Sequence, residues 1–172
     1  QAVEDVGGLD VQLVYFRGAD ECRASRWVSE PAALARLMSA IACHGGYTQI
    51  RKVVSHARKE AEVRRIHALV HVGDAMEEDI DDLCGRAGEL ALLGVPMFLF
   101  QEGDDRRAAA AYAELARLTR GATCRFDQGS AHQLKELLTA VAVYAAGGRA
   151  ALLAMSEEAR GAGARKLIAQ MD

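Results

Sequence analysis

Two short apolar runs decide the fold: residues 66–72 (IHALVHV), closed by Gly73-Asp74, and residues 95–100 (VPMFLF), closed by Gln101-Glu102-Gly103-Asp104. Nearly continuous apolar runs of this length, bounded by helices, are the pattern of strands buried on both faces of a parallel sheet. Between them Ile80, Leu83, Cys84, Ala87, Leu90 and Ala91 form one side of a helix. Glu77, Glu78, Asp79, Asp81 and Asp82 at its start suit the positive end of a helix dipole, and Gly94 stops it. A further helix over 108–118 ends at Gly121. A last short strand covers 122–126 (ATCRF), and Ser130 is set to cap a helix bearing Leu134, Leu137, Leu138 and Val141.

Upstream, residues 9–16 (LDVQLVYF) place Leu9, Val11, Leu13 and Tyr15 on one face, and residues 21–28 (ECRASRWV) alternate again. Gly18-Ala19-Asp20 joins them as a turn, so the pair reads as a hairpin. Arg23, Ser25 and Arg26 mark the second strand as an edge. Ser29 and Pro31 open a helix in which Leu34, Leu37, Met38 and Ile41 hold a core-facing stripe. The loop 43–48 (CHGGYT) precedes a second stripe of Ile50, Val53, Val54, Ala57 and Ala61. The polar face of that helix, with Arg51, Lys52, Arg58, Lys59 and Glu60, reads as solvated surface. Strand–helix alternation with short loops makes residues 1–146 an α/β domain with a mostly parallel sheet. Residues 147–172, rich in Ala and Arg and broken by Gly147, Gly148, Gly161 and Gly163, read as a helical extension outside the core.

At 172 residues and 18.5 kDa the chain has the size of one domain. It is 51% hydrophobic, 26% charged and 5% aromatic, which excludes a disordered tail or a collagen-like repeat. A net charge of −3 and a pI near 6.0 offer no basic field for nucleic acid or an anionic membrane. No apolar run approaches the ~20 residues of a bilayer span. Cys22, Cys43, Cys84 and Cys124 lie far apart without a CxxC, and read as reduced thiols of a cytoplasmic protein.

Ligands gather at the carboxyl ends of strands in open α/β sheets. Asp74, after Gly73, stands at such a tip and suits a hard cation; its alternative role is to cap the helix that follows. Thr48 divides in the same way between a cation ligand and a cap for the helix after Gln49. Glu102, Asp104 and Asp105 follow the next strand. Gly45-Gly46 lacks the surroundings of a phosphate loop, and Cys43-His44 lacks zinc-site spacing. His67 and His71 fall on one strand face and read as hydrogen-bonded structural residues. His56 and His132 lie on helices without an evident partner. No GxSxG elbow is present.

The order of these motifs resembles a von Willebrand factor A (VWA) domain over residues 8–145. LDVQLVYF leads to an edge strand and a helix; GGYT, VGDAMEED, LGVPMFLF, ELARLTRGATCRF and SAHQLKELL follow in turn. The resemblance implies a doubly wound, Rossmann-like sheet with helices on both faces and one antiparallel edge strand. It also implies that Thr48 and Asp74 contribute to a metal-ion-dependent adhesion site holding Mg2+. The family's DxSxS motif is not in these residues, and its strand would lie before Gln1, with QAVEDVGG resembling the tail of the next helix. The implied ion site is therefore incomplete.

The expected function is that of a non-enzymatic protein-interaction module. Its partner would present an acidic residue to the ion, or a second copy would cover edges left unpaired by the missing strand. The alternative is an Mg2+-dependent phosphoryl-transfer or hydrolytic enzyme using Asp74, Glu102 and Asp104.

Overall fold

A computed structural model describes residues 8–42, 46–127 and 129–171. Cys43, His44 and Gly45 of the glycine loop lie outside the described residues. Three strands, β3 (Leu69–Gly73), β4 (Met97–Glu102) and β5 (Ala122–Phe126), pair in parallel in the order β3-β4-β5. β4 sits between its neighbours and is buried from Met97 to Gln101. The two-residue period of a strand divides its side chains. Met97 and Leu99 join one core with Leu83, Leu90, Tyr112 and Leu115; Phe98 and Phe100 join a second with Leu137, Leu152 and Leu167.

The first core is covered by α2 (Ile50–Val63), α3 (Ile80–Leu92) and α4 (Arg106–Thr119). Asp79 caps α3 by accepting from the Asp82 amide at 2.9 Å, and Asp105 caps α4 by accepting from the Ala108 amide at 2.6 Å. α3 ends before Gly94, whose φ of +72° suits a residue without a side chain. At the end of α4, Gly121 is required by close approach: a Cβ there would lie 1.8 Å from the Met97 carbonyl oxygen. Thr119 locks the same junction, its hydroxyl accepting from the Met97 amide at 3.0 Å and donating to the Leu115 carbonyl at 2.8 Å.

The hairpin forms where its alternation placed it, as β1 (Val14–Arg17) and β2 (Glu21–Ala24), antiparallel, with a Val11–Val28 bridge extending it. It does not form the edge of the parallel sheet. Among the described residues β1 pairs with β2, β3 pairs with β4, and no ladder joins β1 to β3. The expected single sheet is thus a three-stranded parallel sheet and a separate two-stranded antiparallel one. α1 (Pro31–Ser39) also departs from expectation, because none of its residues is buried and Met38 is 57% exposed. Ser29 does not cap it; its hydroxyl donates to Asp10 at 2.6 Å.

Residues 147–171 contribute to the core rather than lying outside it. α5 (Ala131–Glu157) crosses the 146/147 boundary, with a break at Gly148 (φ 67°, ψ −161°), and α6 (Ala162–Ile168) folds back against it. A Cβ on Gly163 would lie 2.5 Å from the Glu136 carbonyl oxygen, so a glycine there permits the close crossing of α5 and α6. Leu152, Ala164, Leu167 and Met171 are buried beside Phe98 and Phe126. Gln170 covers the outer edge of β5, accepting from the Thr123 amide at 3.0 Å and donating to its carbonyl at 2.9 Å. By length and composition α5 is long and apolar enough to cross a membrane, contrary to the reading of the sequence. In this fold its Leu137, Ala140, Val141 and Leu152 lie on the sheet.

Leu167→Ala, which empties a fully buried site, is expected to lower the unfolding free energy by about 2–5 kcal/mol. Urea denaturation measures this, and a loss below about 0.5 kcal/mol would place the C-terminal helices outside the cooperative core.

Candidate functional site

Thr48 and Asp74 belong to the same rim, at the carboxyl ends of the parallel strands. Asp74 follows β3 directly and is exposed. Thr48 meets the loop that Asp74 opens: its hydroxyl accepts from the Glu77 amide at 3.2 Å, and its amide donates to the Glu77 carboxylate at 2.9 Å. Neither residue caps a helix. The cap of α3 is Asp79, and α2 begins at Gln49 with no side-chain cap bond.

Glu78 serves α2 instead. Its carboxylate accepts from the Ile50 amide at 2.5 Å and the Arg51 amide at 3.1 Å. Two of the acidic residues that the sequence assigned to their own helix thus act on the N-terminus of its neighbour, where the same dipole argument applies. Partial burial pushes the Glu78 carboxyl above its ordinary range, with the two amides opposing that shift. Arg107 ties down the same loop by donating to the Glu77 and Glu78 carbonyls at 3.4 and 3.3 Å.

Beneath the rim lies a buried polar pair that the sequence did not single out as a pair. His71 on β3 places Nε2 3.0 Å from the Tyr112 hydroxyl, which donates to the Ala75 carbonyl at 3.1 Å. The hydroxyl hydrogen is thus directed to Ala75, and His71 Nε2–H donates to the phenolic oxygen. Burial depresses the His71 pKa to about 4, so the ring is neutral near neutral pH. Burial, then the charges of Asp74 and Asp105, push the Tyr112 phenol well above its usual range. Gly73 accommodates the pair, because a Cβ there would stand 2.8 Å from both His71 Nε2 and the Tyr112 oxygen. His67, expected on the same strand face, precedes β3 and is exposed.

Two more of the rim's carboxylates are occupied with backbone, and Asp104 is exposed. Glu102 accepts from the Gly129 amide at 3.0 Å, and Asp105 caps α4. Among the described residues no group of three or more His, Cys, Asp or Glu side chains stands close enough to hold a metal ion. Thr48 and Asp74 alone do not fit a hard cation, which needs more fixed oxygen donors than a hydroxyl already engaged by an amide and one exposed carboxylate. Cys22, Cys84 and Cys124 are free thiols, and burial raises the pKa of each.

No family model matches the chain, and no curated protein or solved structure is similar to it.

The His71–Tyr112 pair makes stability depend on pH. As pH falls from about 6.5 to about 4, the unfolded chain binds a proton that folded His71 refuses. Stability present at neutral pH is lost across that window, by up to about 3 kcal/mol. Urea unfolding at neutral and acidic pH is expected to show this loss, and His71→Phe is expected to reduce it. An equal loss in the variant would remove His71 as its source.

Proposed function

We propose that the chain is a non-enzymatic protein-interaction module on a doubly wound, VWA-like α/β frame, and that it binds by taking a partner's extended segment as a β-strand between β1 and β3. The supporting observation is a pair of strand edges that stand side by side and have no ladder partner among the described residues. The Phe16 ring of β1 stacks on the His71 ring of β3, with centroids 6.3 Å apart and planes 14° from parallel, yet the two strands share no ladder.

Strand alternation identifies the groups that face the gap. Leu69 donates to Pro96 on the β4 side, so the amides of Val70 and Val72 turn the other way. Ser25 donates to the Leu13 carbonyl on the β2 side, so the amides of Val14 and Phe16 turn away from β2. Unpaired donors and acceptors on adjacent edges are a template for another strand. Of the flanking side chains on β3, Val70 is half-buried against the second core, while Val72 is 42% exposed. The β5 edge, by contrast, is covered by Gln170. Main-chain hydrogen bonds would supply affinity, and alternate side chains of the added strand would supply specificity. This mode needs no metal ion.

Short extended peptides that alternate valine with polar residues, titrated against the chain, are expected to slow amide hydrogen exchange at Val14, Phe16, Val70 and Val72. Val72→Arg puts a charge beside the open edge and is expected to weaken binding roughly tenfold, with Tm moved by less than about 3 °C. Peptides that fail to bind, or that bind without protecting those amides, would refute this mode of action.

A further inference from the structure

A second feature lies away from the strand ends. Between the hairpin and the polar face of α2 is an open cavity of about 380 Å³. Its charged lining is entirely cationic: Arg23 from β2, Arg51, Lys52 and Lys59 from α2, and Arg86 from α3. Like charges gathered around one concavity repel one another, an arrangement that an anion relieves.

The nearby carboxylates only partly offset this charge. Asp20 pairs with Lys52, and Glu21 is shared between Arg17 and Arg23. Asp82 is shared between Arg86 at 3.1 Å and Arg51 at 3.7 Å. Glu78 is engaged by the α2 amides. Lys59 forms no ion pair among the described residues. The Ser55 hydroxyl accepts from Arg86 at 2.8 Å, and its own hydrogen has no protein acceptor among the described residues. Lys59 and Ser55 therefore retain donor capacity at the cavity, and Arg51 holds a single long contact.

We propose that this cavity is an anion-binding site for a small molecule carrying a di- or triphosphate group. Its cations are spread along α2 from Arg51 to Lys59, a rise of about 12 Å at 1.5 Å per residue. That span exceeds one phosphate group and suits a chain of them. Planar guanidinium forks, an ammonium and a hydroxyl are the donors that recognise phosphoryl oxygens. The volume is that of a small-molecule site. The chain's net charge of −3 disfavours an extended nucleic-acid surface.

Calorimetric titration of the chain with inorganic pyrophosphate, phosphate and sulfate at matched ionic strength tests the proposal. Pyrophosphate is expected to bind more tightly than the other two. Lys59→Gln and Ser55→Ala are each expected to weaken it roughly tenfold, while Arg125→Gln, on the distant β5, leaves it unchanged. Equal affinity for sulfate and pyrophosphate would overturn the site, as would wild-type affinity in both cavity variants. Displacement of pyrophosphate by a lower concentration of a short single-stranded oligonucleotide would overturn the assignment to a small molecule.

Discussion

Burial of β4 on both faces and along both edges is the constraint on which the other elements depend. A strand enclosed in this way must send alternate side chains into two separate cores. Met97 and Leu99 therefore require one layer of helices, and Phe98 and Phe100 another. Three helices satisfy the first demand. The second is met by the long, broken α5 together with α6, so that residues 147–171 share the core. The sharp break at Gly148 and the contact at Gly163 bring the last helix back over Phe98.

The same enclosure does not extend to β3. One edge pairs with β4, while the other faces β1 through a ring stack and, among the described residues, no backbone ladder. The hairpin is consequently held by side chains and by one backbone bridge, Gly18–Gly46. His56 on α2 bonds Gln12 at 2.8 Å, the Trp27 indole donates to Glu60 at 2.8 Å, and Gln49 donates to the Arg17 and Gly18 carbonyls at 3.4 Å. Such contacts fix where the hairpin sits, and among the described residues they leave its outward amides without a ladder partner.

What was legible in the sequence followed period and burial. The runs at 66–72 and 95–100 read as parallel strands because both contribute to the buried sheet, fully so only in β4, and the hairpin followed from alternation around Gly18. Thr48 and Asp74 fell on one rim because both flank the carboxyl ends of the sheet. Properties that depend on which elements become neighbours were not legible. Glu77 and Glu78 looked like residues of their own helix, since nothing local indicates that the N-terminus of α2 lies beside them. The α1 stripe promised a core contact, but amphipathicity states what a helix can cover, not whether it does. The weak periodicity of 147–172 reflected interruptions by glycine at a close helix crossing, which lower the apolar signal while improving the packing.

Charge separates across this fold in a way that the net value of −3 hides. Carboxylates collect at the strand-end rim, where they cap α2, α3 and α4, and cations collect between α2 and the hairpin. Both arrangements arise from α2. Its first turn offers free amides that draw Glu78, and its polar face directs Arg51, Lys52 and Lys59 toward β2. The face that reads as ordinary solvated surface acquires its character from a hairpin that folds over it and supplies Arg23. A cation on an open helix is screened by water, whereas the same cation at the wall of a concavity acts with its neighbours on whatever enters. Val14 joins the two regions physically, lining the cavity while its amide faces the gap toward β3.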